Sequence, residues 1–76
     1  MKEKDEHCIR FGEAVRKRRL ELRLSQEQLA AVAGIHRTFI GGIERGERNP
    51  TVTTIYRIAK ALKTEASALF KTDTNN

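Results

Sequence analysis

A short helix bracketed by its own start and stop signals is the tightest constraint in this sequence. Ser25 can cap a helix with its hydroxyl, and Gln28, three residues on, completes an S-x-x-Q capping box. Gly34 ends the element, because the position after a helix usually needs the left-handed conformation, which costs glycine nothing. Ile35 follows as an apolar plug, and a second periodic segment begins at about Arg37. Two helices joined this abruptly meet at a steep angle, so a small residue is required where they approach, and Ala30 supplies it. Leu29, Ala33, Ile35, Ile40 and Ile43 complete an apolar packing side.

The remaining segments read as helix as well. The first helix is expected over about residues 8–22, with Phe11, Val15, Arg18 or Arg19, and Leu22 on one face at steps of three and four. An arginine in that stripe needs a partner, and Leu20 does not fit it. The third helix runs from about Arg37 to Arg45, where Gly46 stops it, and Thr51 caps a fourth over about residues 52–62. Ile55, Ile58, Ala59 and Leu62 turn inward on that helix, and a fifth over about residues 65–70 brings Leu69 and Phe70. No alternating run is long enough for a half-buried strand. The expectation is one all-α, five-helix domain over 8–70, with the helix-turn-helix at 26–45, a flexible arm at 1–7 and a flexible tail at 71–76.

Size and charge narrow the function. At 76 residues there is one domain with a marginal core and no room for a pocket between lobes, which argues against a large metabolic enzyme. Fifteen Lys and Arg against ten Asp and Glu give a net charge of +5, which favours an anionic partner, nucleic acid before an acidic membrane. The lone Cys8 cannot form an internal disulfide. No apolar run approaches the roughly 18 residues of a membrane span, and the charged start Met1–Glu6 leads into no signal segment, so a cytoplasmic protein is expected. His7, Cys8 and His36 lack metal-ligand spacing, Cys8 has no orienting group for nucleophilic work, and Gly41-Gly42 follows no strand and lacks the lysine of a phosphate-binding loop. No enzyme, cofactor, metal or small-molecule ligand is expected.

With the inward residues placed, His36, Arg37, Thr38, Gly41, Gly42 and Arg45 face outward on the third helix, with Phe39 at the margin. The major groove of B-DNA admits one α-helix, and an arginine there can donate two parallel bonds to guanine. Arg37 is therefore the first base-reading residue, Thr38 the second, and His36 the cap or first-turn residue beside them. Gln26, at the start of the second helix, lies where free N–H groups favour a phosphate. Arg16, Lys17 and Arg45 add positive potential. Gly41 and Gly42 cost helix stability, so they serve close approach to the DNA backbone or mark a tolerated weak turn.

Ser25-Gln26-Glu27-Gln28-Leu29-Ala30, Ala33-Gly34-Ile35 and Ile43-Glu44-Arg45-Gly46-Glu47-Arg48-Asn49-Pro50 resemble the Cro/phage-repressor (XRE) helix-turn-helix family over about residues 11–70. Arg37-Thr38-Phe39-Ile40, Gly42-Ile43-Glu44-Arg45 and Arg48-Asn49 are most similar to the controller proteins of restriction–modification systems. Arg23 and Lys63 stand where that family often has helix-ending glycines, and Gly41 where serine is common. The resemblance implies a lambda-repressor-like fold and a transcriptional regulator. It also implies that Arg48 and Asn49 lie along the DNA backbone, and that Arg19 and Glu44 form a largely buried ion pair. An antitoxin or coactivator-like interaction module on the same fold is the alternative. A single recognition helix reads few base pairs, so a homodimer on a pseudo-palindromic operator is expected, with half-sites about 34–36 Å apart. Leu62, Leu69 and Phe70 exceed what so small a core needs and are expected at the dimer contact.

Overall fold

The computed structural model describes residues 4–71. Four α-helices, α1 (Glu6–Glu21), α2 (Gln26–Ala33), α3 (Arg37–Glu44) and α4 (Val52–Ala61), are followed by a 3-10 helix over Ala66–Phe70. The first three residues of the expected arm, and all of the expected tail except Lys71, lie outside the described residues.

Side chains near each start signal satisfy the backbone donors that open a helix. The Ser25 hydroxyl accepts from the Gln28 N–H at 2.9 Å, and the Gln28 side-chain oxygen accepts from the Ser25 N–H at 2.8 Å, a reciprocal box. Gly34 then takes the left-handed conformation at φ 72°. The Thr51 hydroxyl accepts from the Thr54 N–H at 3.2 Å. A similar cap corrects the expected start of the first helix. The Asp5 carboxylate accepts from the His7 N–H at 2.7 Å, so α1 begins at Glu6 and not near residue 8. Glu6 favours the first turn of a helix and pairs with Arg10 one turn on, at 2.8 Å, so the charged stretch expected to be an arm builds the helix start.

The fifth element is also corrected. Residues 66–70 are too few to nucleate an α-helix, and the tighter i→i+3 turn closes instead, with the Ala68 N–H donating to the Glu65 carbonyl at 3.0 Å. Two helices stop without glycine: Arg23 sits at φ 59° and Lys63 at φ 56°. The end of α4 is held by Arg18, whose Nε donates to the Leu62 carbonyl at 2.9 Å and whose Nη2 donates to that of Lys63 at 3.3 Å.

Phe11, Val15, Leu29, Ile40, Ile43 and Ile58 fill the core where α1, α2, α3 and α4 meet. Leu62 and Leu69, expected on the dimer surface, belong to that core and are 0% and 4% exposed. In a domain this small the last turn of α4 and the 3-10 helix must seal the open side of α1, and these leucines do so. Phe70 alone of the three keeps a surface. It is 55% exposed, and its ring stacks on Phe11 with centroids 5.1 Å apart. The approach of α1 to α3 needs Gly12, because a Cβ there would stand 2.1 Å from the Ile43 carbonyl oxygen. Its absence lets α1 lie directly on the backbone at the end of α3.

Candidate nucleic-acid interface

Polar groups on the core side fix the angle at which α3 leaves the body of the protein. Arg19, and not Arg18, enters the apolar stripe of α1. Its Nε donates to Glu44 Oε2 at 2.6 Å and its Nη2 to Oε1 at 3.0 Å, while Nη1 donates to the Leu24 carbonyl at 2.8 Å. The side chains of Arg19 and Glu44 are 10% and 3% exposed. The hydrogen bonds that Arg19 donates to Glu44 raise its pKa, burial opposes the rise, and the attraction of the carboxylate adds to it. Gln26 completes the cluster, its Nε2 donating to Glu44 Oε1 at 3.0 Å. One buried carboxylate thus ties α1, the start of α2 and the end of α3 together. Among the described residues no buried side-chain polar atom lacks a hydrogen-bond partner. A residue at the start of a helix reads from sequence as exposed, so nothing marked Gln26 as a partner of the ion pair.

The opposite face of α3 is open. His36 precedes the helix and caps it, with Nδ1 accepting from the Thr38 N–H at 3.1 Å, which leaves only Nε2 for an outside partner. Arg37 and Thr38 follow, both exposed. The Nη1 of Arg37 donates to the carboxylate of Glu27, on the first turn of α2. Gln26, Glu27, Arg37, Thr38, Gly41 and Arg45 line one open hollow between α2 and α3. Glu27 was not foreseen here, because an acidic residue in a first turn is explained by the helix dipole alone.

Gly41 and Gly42, expected on the exposed face, are buried. The Arg45 guanidinium covers Gly41, where a Cβ would stand 3.1 Å from Nη1 and 3.5 Å from Gln26 Oε1. The stem of Arg48 covers Gly42, where a Cβ would stand 2.8 Å from Cγ. The two glycines therefore seat arginine side chains against the helix. Phe39, half-buried, packs against the core and carries the Arg48 guanidinium 5.4 Å from its ring centroid. Arg45 reaches Glu47 at 3.1 Å, and its carbonyl accepts from Lys4 Nζ at 2.8 Å. Asn49 is exposed in the loop after α3.

The two α1 residues separate. Arg16 lies one turn beyond Gly12, on the flank that meets α3. Lys17 lines a different groove, with Arg10, Arg18 and Lys71 beside the 3-10 helix, and is not brought to the hollow around Arg37. Among the described residues no helix is long and apolar enough to cross a membrane.

Residues 15–69 match the helix-turn-helix family HTH_3. The chain is 53% identical over 59 residues to the control protein C.SmaI of Serratia marcescens, an alignment covering 78% of this chain and 70% of that protein. The crystal structure of the restriction-modification controller protein C.AhdI from Aeromonas hydrophila is similar at a TM-score of 0.82 and 41% identity, over 83% of this chain and 96% of that one. The controller protein C.Esp1396I, solved as a tetramer in complex with its natural 35-base-pair operator, is similar at a TM-score of 0.80 and 33% identity, over 87% of each chain.

Proposed function

Because the chain belongs to the helix-turn-helix family HTH_3, we propose that it is a sequence-specific, duplex-DNA-binding regulator of transcription, acting as a homodimer on a pseudo-palindromic operator as the controller protein of a restriction–modification system. The observation that carries this reading is the division of α3 into two faces. Ile40, Ile43 and Glu44 anchor it in the core, while Arg37 and Thr38 stand exposed at its N-terminal end, where they can enter a major groove. Arg37 reads guanine and Thr38 the adjoining base edge. Gln26, Arg45, Arg48 and Asn49 flank them and meet phosphate. Of Leu62, Leu69 and Phe70, Phe70 is the one that presents an exposed surface to the second protomer. The protein works in the cytoplasm and carries out no catalysis.

Selection from a randomised duplex library tests the proposal. The expected product is a site of two related half-sites, bound with an affinity that falls steeply as salt rises. A site of that kind upstream of the chain's own gene and of an endonuclease gene supports the controller role. A library that enriches nothing, with no salt-dependent binding to any duplex, overturns the whole proposal.

A further inference from the structure

Glu27 is the one carboxylate lining the hollow that holds Arg37, Thr38, Gln26 and Arg45. Its side chain and that of Arg37 are 66% and 65% exposed, so neither is fixed by burial. An exposed ion pair contributes little to folding stability, so stability does not account for this one. A carboxylate at such a position also repels phosphate, which lowers affinity for any duplex and needs a compensating role. The geometry supplies one. Glu27 holds Nη1 of Arg37, which leaves Nη2 and Nε free as a pair of parallel donors. That edge matches the two acceptors of guanine in the major groove.

Resting on the DNA-binding reading above, we propose that Glu27 is a specificity-determining residue. It holds the Arg37 guanidinium in the orientation that reads guanine and denies that guanidinium to phosphate. On random DNA the Arg37–Glu27 pair stays closed and contributes nothing to affinity. On the correct base the free edge is satisfied while the pair persists. Discrimination thus comes partly from a penalty against the wrong ligand.

The test measures binding of the wild type, Glu27→Gln, Arg37→Ala and the double variant to two probes across a salt series. One probe is the duplex enriched from the randomised library, and the other is a scrambled duplex of the same length and composition. Thermal melts accompany each variant, and all should remain folded because both side chains are exposed. Glu27→Gln is expected to tighten binding to the scrambled duplex and to steepen its salt dependence by about one phosphate contact, since Arg37 is released. The preference for the enriched duplex should fall roughly tenfold, part of what one bidentate base contact contributes. Relative to Arg37→Ala, the double variant should keep only the small tightening that comes from removing the Glu27 charge, and its salt slope should not steepen. Equal changes on both probes, or a salt slope that steepens without Arg37, overturn the proposal for Glu27 alone. A wild type with no preference between the probes overturns the DNA-recognition reading itself, and this inference with it.

Discussion

Arg19 and Glu44 show how a polar pair can be built into a small core without a net gain in stability. Two charges shed water to enter the interior, and their attraction need not exceed that cost. Removing one partner is different, because the other is left buried and charged. Arg19→Met should therefore cost about 3–5 kcal/mol in a denaturant melt. Arg19→Met with Glu44→Met should recover much of it, yet weaken duplex binding, since Gln26 loses the acceptor that holds it. A lysine at position 19 should rescue poorly, having no planar fork to span both carboxylate oxygens. The raised pKa of Arg19 means that its contribution is complete at neutral pH and, on the alkaline side, is lost only as pH rises through the folded-state value. The glycines give a paired contrast. Gly12→Ala places a methyl 2.1 Å from a backbone oxygen, and should destabilise by about 1–3 kcal/mol. Gly41→Ala meets the end of the exposed Arg45 side chain and stands in ordinary contact with Gln26 Oε1, and should stabilise α3 by up to about 1 kcal/mol through helix propensity once Arg45 yields. Melts that rank the two the other way would contradict the described packing.

At the scale of elements, the ends of helices decide the outcome. Lys63 adopts a left-handed conformation that costs a non-glycine residue about 1–2 kcal/mol, so Lys63→Gly should leave stability unchanged or raise it slightly. Leu69→Asp and Phe70→Asp should now part company. The first buries a charge in the core and unfolds the domain, whereas the second leaves a folded protein whose self-association, measured by sedimentation, is weakened. Ser25, Gln28, Gly34 and Thr51 were legible in the sequence because each acts on backbone groups within three or four residues of itself. Asp5 was not, since a cap inside a run of mixed charges looks like the rest of the run. Gly12 escaped notice because its role depends on α3, some thirty residues away, and local pattern says nothing of such an approach. Leu62 and Leu69 were misassigned for a related reason: counting apolar residues gives their number, not their depth. On α3 the exposure of Arg37 and Thr38 is readable from the inward residues, but the arginine cover over Gly41 and Gly42 and the position of Glu27 are not, since they depend on side chains from outside that helix.

For the whole molecule, a net charge of +5 gives any duplex a modest attraction, and sequence preference must come from a few side chains on α2 and α3. Arg37→Ala should accordingly remove about 1–3 kcal/mol per half-site on the enriched duplex while leaving most of the affinity for random DNA. Equal losses on both would mean that Arg37 only neutralises phosphate. The buried ion pair has a consequence in time as well. Arg19 and Glu44 lie 25 residues apart, and each must give up its water before the two can meet. Their bond is therefore expected to form after the helices have packed, on the native side of the folding barrier. Removing Arg19 alone should leave refolding almost unchanged and speed unfolding by about two to four orders of magnitude, the full destabilisation of about 3–5 kcal/mol falling on one limb of the chevron. The pair acts as a latch: once one partner is removed, each folded molecule lasts a shorter time although the chain folds as fast as before.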